Sequence, residues 1–320
     1  MRHGVCPGPQ PPVPLLFHEV GTVLDRPGPS ALIGLTLQPE DAYLDLLGPV
    51  IAEEADYYEV APETLWYPGP EGTLLPNGFH PRFAALGRET GRPFVAHGVG
   101  LSLGTLSPGD EPRRQRWFDR IRQDHAIFRF LWYTDHLGAS LMAGRALTLP
   151  LPVPMTAPVA AAVRERLLAL QQVVPDVGFE NTANYYVLGD PLAEPGFFSE
   201  ILSRPRLHLL LDLHNVHTMA VNLGFDPREY LDHVDLSRVI EIHMAGGSQS
   251  DPAWLPGGET MRLDSHDSAV PEEVWSLLGH VLPRCPNLRG ITLERMEGTV
   301  GPGDVSVLRD EMRRLRHATA

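Results

Sequence analysis

The chain has 320 residues, enough for one large domain or two ordinary ones, and its 43% hydrophobic content can supply a sizeable core. A formal charge of −14 argues against a nucleic-acid partner, which wants a basic face, and no run of about 18 apolar residues offers a membrane span. Two cysteines, Cys6 and Cys285, make neither a disulfide framework nor a thiolate zinc motif, and the N-terminus lacks a signal-peptide core, which points to the cytoplasm.

Residues 1–28 are rich in Pro and Gly without periodicity and read as a leader, disordered in expectation, ahead of a single domain over 29–320. From there strands and helices alternate. LIGLTL (32–37) is a strand and 39–53 a helix; YYEVAP (57–62) is a strand, followed by a Pro/Gly loop and a short helix over 82–88. PFVAH (93–97) is the third strand, and 111–128 is a helix. RFLWYTDH (129–136) is the fourth strand; a long loop containing LPLPVPM leads to a helix over 159–173. VGFEN (177–181) is the fifth strand, with a short helix over 197–202.

The sixth, LLLDLHNVH (209–217), is a continuous apolar run of the kind buried on both faces in a parallel sheet. Extended throughout, it would point Asp212 and His214 the same way. FDPREYLDHV (225–234) is a helix with Asp226 as its N-cap, and VIEIH (239–243) is the seventh strand. A Gly-rich loop carrying LDSHD (263–267) precedes a helix over 271–281; GITLE (290–294) is the eighth strand and 305–317 the last helix. Eight strands alternating with helices predict an α/β fold, a (β/α)8 TIM barrel.

In such a barrel the strand ends form the active-site mouth. The ends here supply His97, His136, Glu180, Asp212, His243 and Glu294, and the loop after the seventh strand adds Asp264 and His266. Taken singly, each has a plain reading: a hydrogen-bonded histidine, a carboxylate paired with arginine, a turn aspartate. Jointly, imidazoles and carboxylates converging from six strands would repel or go unpaired unless metal ions held them. Nitrogen and oxygen donors without thiolate suit Zn, Fe or Mn, and eight donors exceed one ion, so two or three metals bridged by a carboxylate such as Glu180 are expected. His125, His208, His233 and His280 fall on helix surfaces or strand starts and read as structural.

The segments HGVGLSLGT (97–105), TDHL (134–137), FENTANYY (179–186), LLLDLHNVH (209–217), GFDPREYLD (224–232), EIHMAGG (241–247), LDSHDSAVPEEVW (263–275) and TLE (292–294) carry a resemblance at two levels. Their ligand order resembles the xylose-isomerase-like barrel superfamily, which includes the trinuclear-zinc endonuclease IV enzymes. More closely, the chain resembles the multinuclear non-haem iron-dependent oxidative enzymes, among them the methanobactin-biosynthesis oxidase. The resemblance implies His97, His136, Glu180, Asp212, His243, Asp264, His266 and Glu294 as metal ligands, with Asn215 a further candidate where the zinc endonucleases place a histidine. Asn181 is implied to contact metal or substrate, and Glu180, Asp212 and His266 stand as the catalytic candidates. His214, His217, Asp135 and Asp267 are expected to orient the ligands.

The implied cofactor is two or three iron ions of mixed valence, with dioxygen as co-substrate. The implied substrate is a ribosomally made precursor peptide, oxidised at a cysteine or similar residue and presented by a small leader-binding partner protein. The rivals are a non-redox zinc or manganese enzyme of the superfamily (a sugar isomerase, an epimerase or a phosphodiesterase) and a non-enzymatic barrel with a decayed site. The chain departs from the family pattern at three places: His214-Asn215-Val216-His217 replaces an asparagine-rich run, Thr64 follows Glu63 where asparagine is usual, and Gly247 stands where a histidine is common.

Overall fold

All eight expected runs contribute strands to a closed parallel barrel: β1 (Leu32–Thr36), β2 (Tyr57–Val60), β3 (Phe94–Gly98), β4 (Tyr133–His136), β5 (Val177–Glu180), β6 (Leu207–Asp212), β7 (Val239–Met244) and β8 (Gly290–Leu293). Each strand pairs with its sequence neighbours, and β1 closes the ring on β8. The computed structural model describes residues 31–142 and 145–320, so the expected leader at 1–28 lies outside the described residues.

The ring is covered by α1 (Asp41–Glu53), α2 (Phe79–Thr90), α3 (Glu111–Phe128), α4 (Ala157–Leu170), α5 (Glu194–Ile201), α6 (Leu213–Leu223), α7 (Pro227–His233), α8 (Glu272–Val281) and α9 (Asp304–Ala318). Their apolar faces and the outward strand residues form the main core. A smaller apolar cluster of Tyr57, Val95, Trp132 and Ile240 plugs the barrel interior. The Tyr57 ring fits there because Gly34 and Gly290 leave it room; a Cβ at either position would collide with it. Among the described residues no helix is long and apolar enough to cross a membrane.

Some expectations fail for identifiable reasons. The sixth strand stops at Asp212, so Asp212 and His214 do not share a strand face; Asp212 Oδ1 accepts Asn215 N–H (2.6 Å), N-caps α6 and turns the chain into a helix. The strand expected over 129–136 begins at Tyr133, because Arg129 closes α3 in a left-handed conformation (φ 54°). The second strand ends at Val60, and Pro62–Leu65 forms a 3-10 turn. The loop with LPLPVPM contains an antiparallel pair, Ala139–Met142 with Arg145–Leu151, and Trp66–Pro68 pairs with Leu74–Pro76 before α2. Asp226 does cap α7, accepting from Arg228 N–H at 2.9 Å.

Candidate metal centre

Parallel register brings the ligand-type residues level at the mouth. His136 is the strand partner of Glu180, and Asp212 that of His243. Glu180 lies between two groups. Its Oε2 is 2.9 Å from His136 Nε2 and 3.4 Å from His97 Nε2, while its Oε1 is 3.6 Å from His243 Nδ1. Around His243 Nδ1 also stand Glu294 Oε2 at 2.9 Å and Asp212 Oδ2 at 4.0 Å. A third group forms on the loop after β7: Asp264 Oδ1 lies 2.7 Å from His266 Nε2 and 3.2 Å from His214 Nδ1. Glu294 Oε2, 3.8 Å from His266 Nε2, joins this group to the second.

Three sets of donors therefore each converge within 4.8 Å: His97, His136 and Glu180; Glu180, Asp212, His243 and Glu294; His214, Asp264 and His266. Donors held ~2.1 Å from one ion stand roughly 3 Å apart when adjacent around it, so this spacing suits shared metals. The hydrogen-bond inventory fits as well. Among the described residues Glu180 Oε2, Asp212 Oδ2, Asn215 Oδ1, His243 Nδ1 and Glu294 Oε2 are buried without a well-aligned hydrogen bond, although imidazole nitrogens stand 2.9 Å from Glu180 Oε2 and Glu294 Oε2. Unsatisfied buried polar atoms are costly, and a bound metal would satisfy those of Glu180, Asp212, His243 and Glu294, which converge. Among the described residues no arginine pairs with Glu180, Asp212, Asp264 or Glu294; their charged neighbours are imidazoles and one another.

The electrostatics record the same crowding. Burial opposes ionisation of Glu180, yet His136 and His97 outweigh it and hold the carboxyl well below its usual range. Burial, joined by the charges of Glu180 and Glu294, pushes Asp212 well above its usual value. Burial disfavours charge on His97 and His266, but Glu180 raises the first to about 9 and Asp264 raises the second to about 10. His266 also sits at φ 50°, a left-handed conformation uncommon outside glycine, held by Met296 N–H donating to its carbonyl at 3.1 Å.

The expected ligands thus gather at one mouth, and His214, expected to orient ligands, joins the third group as a donor. Asn215 places Nδ2 3.0 Å from the Asn181 carbonyl and 3.4 Å from Glu180 Oε1. Asn181 does something other than expected. Its amide brackets the backbone of Asp212, donating to its carbonyl (2.9 Å) and accepting from its N–H (2.8 Å), and so fixes where β6 ends.

Three residues expected to orient ligands do not hydrogen-bond any of them. His217 lines a groove between α6 and α8. Asp267 accepts from Ser248 Oγ at 2.8 Å. The Asp135 side chain accepts from Leu101 N–H at 3.4 Å and, among the described residues, from no other donor. Gly247 also finds its reason: a side chain there would collide with the Leu263 carbonyl and crowd the His214 ring, so histidine does not fit between these elements.

Glu59 is absent from the sequence-based candidates. It is 1% exposed, accepts from Thr36 Oγ1 at 2.8 Å and lies 2.8 Å from His243 Nε2. The signal for it is a glutamate in the middle of an otherwise apolar strand, YYEV, on the same face as Tyr57.

Residues 33–320 match a family described as RiPP precursor modification enzyme MbnB/TglH/ChrH. A UPF0276 protein of Caulobacter vibrioides is 32% identical over 251 residues, covering 76% of this chain and 80% of the relative. Another, from Alcanivorax borkumensis, is 31% identical over 233 residues, 70% of either chain. Among solved structures the barrel resembles a xylose isomerase domain protein from Planctomyces limnophilus (TM-score 0.53, 15% identity, 91% of this chain and 97% of that one). It also resembles endonuclease IV from Thermus thermophilus (TM-score 0.51, 17% identity, 89% and 99%). At such identities these two describe the fold alone: a xylose-isomerase-like TIM barrel.

Proposed function

We infer the reaction from one premise: the chain belongs to the MbnB/TglH/ChrH family of enzymes that modify RiPP precursors, the peptides made on ribosomes and matured afterwards. On that basis we read the protein as a multinuclear iron-dependent oxidase that modifies a precursor peptide, at a cysteine or similar residue, with dioxygen. The observation that carries this reading is Glu180, whose two oxygens face different histidine groups, as a bridging ligand would.

In this reading His97, His136, Glu180, Asp212, His243, Asp264, His266 and Glu294 hold the ions, with Asn215 Oδ1 and His214 as further donors. Imidazole and carboxylate suit iron in both oxidation states, and bound iron would supply a site for a substrate thiolate and for dioxygen reduction. The chain's own part is to fix geometry. Thr134 Oγ1 sits 2.9 Å from His97 Nδ1 and orients that ring, so that Nε2 faces Glu180. Asn181 and the α6 cap hold Asp212 so that Oδ1 is committed to the helix and Oδ2 faces the cluster. The loops after β2, β5, β7 and β8 present Tyr67, Tyr186, Trp254 and Met296 as exposed apolar groups around the mouth, suited to gripping an extended peptide. A small partner protein that presents the leader completes the proposal.

Glu180, Asp212 and His266 are the catalytic candidates in this scheme. The test is oxygen uptake by iron-loaded protein with a cognate cysteine-containing precursor. Iron-dependent uptake with a mass change in the peptide supports the reading. Protein that takes up zinc or manganese but no iron, and consumes no oxygen, favours the non-redox alternative.

A further inference from the structure

Among the described residues, His243 is the one ligand-type side chain with carboxylates facing both ring nitrogens. Nδ1 faces Glu294, Glu180 and Asp212 and has no hydrogen bond, whereas Nε2 lies 2.8 Å from Glu59 Oε2 and 3.9 Å from Glu241 Oε1. Glu59, Glu241 and His243 stand close enough together to suggest one more metal site. Their hydrogen bonds say otherwise. Glu241 Oε1 accepts from Tyr57 OH (2.9 Å) and Thr292 Oγ1 (2.6 Å), and Oε2 from Trp132 Nε1 (2.6 Å). Glu59 Oε1 accepts from Thr36 Oγ1 (2.8 Å), which leaves Oε2 for the ring. No oxygen of either glutamate is among the buried atoms lacking a partner, while every carboxylate of the second group contributes one. One side of the imidazole meets unsatisfied donors and the other a finished hydrogen-bond network.

We propose that Glu59 is a positioning residue of the metal centre: it accepts the Nε2–H of His243, so that the Nδ1 lone pair is presented to metal. The inference rests on the metal-centre reading above. Strand geometry makes the contact. Register places Glu59 beside Thr36, and the reach across the barrel interior falls to Glu59 because Tyr57, two residues earlier on the same face, fills the space below. A carboxylate behind a ligating imidazole fixes the tautomer, stops the ring from turning and makes the free nitrogen a better donor. Here that carboxylate comes from a strand 184 residues away in sequence, and both partners are buried. Rotation of His243 would therefore break a charge-assisted hydrogen bond with no water to replace it.

The test compares wild type with Glu59→Gln, each stripped of metal and titrated anaerobically with ferrous iron against a competing chelator. Glutamine is nearly isosteric and still accepts a hydrogen bond, so circular dichroism of the metal-free forms should match while one iron binds about 10–100-fold more weakly. Equal affinities and stoichiometries in the two proteins overturn the role of Glu59 and leave the metal-centre reading standing. Failure of wild type to bind iron or zinc overturns both. Should Glu59→Gln fail to fold, nitrogen-15 NMR of histidine-labelled, zinc-loaded wild type decides instead, with His243 assigned against His243→Gln. A proton on His243 Nε2 and none on Nδ1 is expected; a proton on Nδ1 overturns the proposal.

Discussion

The two ends of the barrel use the same residue types to opposite effect. At the bottom, Asp176 precedes β5 and accepts hydrogen bonds from Arg206 Nε and Nη2 (3.0 Å each) and Arg289 Nη1 (3.1 Å), with His208 Nε2 at 3.0 Å. Both its oxygens are used; burial opposes its ionisation, but His208 and the two arginines outweigh that and hold its carboxyl well below the usual range. At the mouth, Glu180, Asp212 and Glu294 each retain a buried oxygen without a partner. A histidine beside a carboxylate therefore says little by itself. What separates a structural cluster from a metal centre is whether protein groups already satisfy the acceptors.

The largest expected effect comes from cutting the link between the first two groups. Glu180→Gln removes the charge that faces His97, His136 and His243, so at least one ion should be lost and peptide oxidation should fall by more than the ~10–100-fold typical of losing an outer partner. Metal analysis and turnover of the variant check this; full occupancy would make the mouth resemble the bottom. A buried carboxylate of a third kind follows. Glu194 accepts from Tyr230 OH at 2.6 Å and, among the described residues, has no arginine partner and belongs to no metal-type group; burial pushes it up to about 7. Its folded value exceeds its unfolded one, so the folded state holds the proton longer and stability falls as pH rises from about 4.5 to 7. Glu194→Gln should therefore stabilise the protein at pH 8 by on the order of 3 kcal/mol, with the gain fading toward pH 4, as read by denaturant unfolding across that range.

The smallest effect is expected at the bottom. Asp176→Asn should cost about 1–3 kcal/mol through weakened charged hydrogen bonds and leave metal content unchanged. Because the folded carboxyl titrates below its unfolded value, its contribution is present above about pH 4 and lost as pH falls through the folded value. The variant should be less sensitive to acid than wild type in urea melts. A change in bound metal would erase the distinction between the two ends.

The barrel is legible in the sequence because its strands are short apolar runs separated by helical patterns, and its mouth because six of those runs end in histidine or a carboxylate. The misses have physical causes. Residues 213–220 carry a helical pattern, with Leu213, Val216, Met219 and Ala220 buried, which the strand-like run ahead of them obscures until Asp212 is seen as a cap. The antiparallel pair of Ala139–Met142 with Arg145–Leu151 is hidden by Pro150, which a two-stranded ribbon tolerates at an edge. Glu59 is visible as an odd residue in a buried strand, but its partner His243 is fixed only by closure of the barrel. That Asn181 serves the backbone of Asp212 likewise depends on β5 and β6 lying side by side.

The most direct test is elemental analysis of wild-type protein grown with ample iron and purified without oxygen. Two or three iron atoms per chain are expected, falling in Glu180→Gln and unchanged in Asp176→Asn. Protein that carries no metal, or zinc or manganese with no iron, would contradict an iron centre at the barrel mouth.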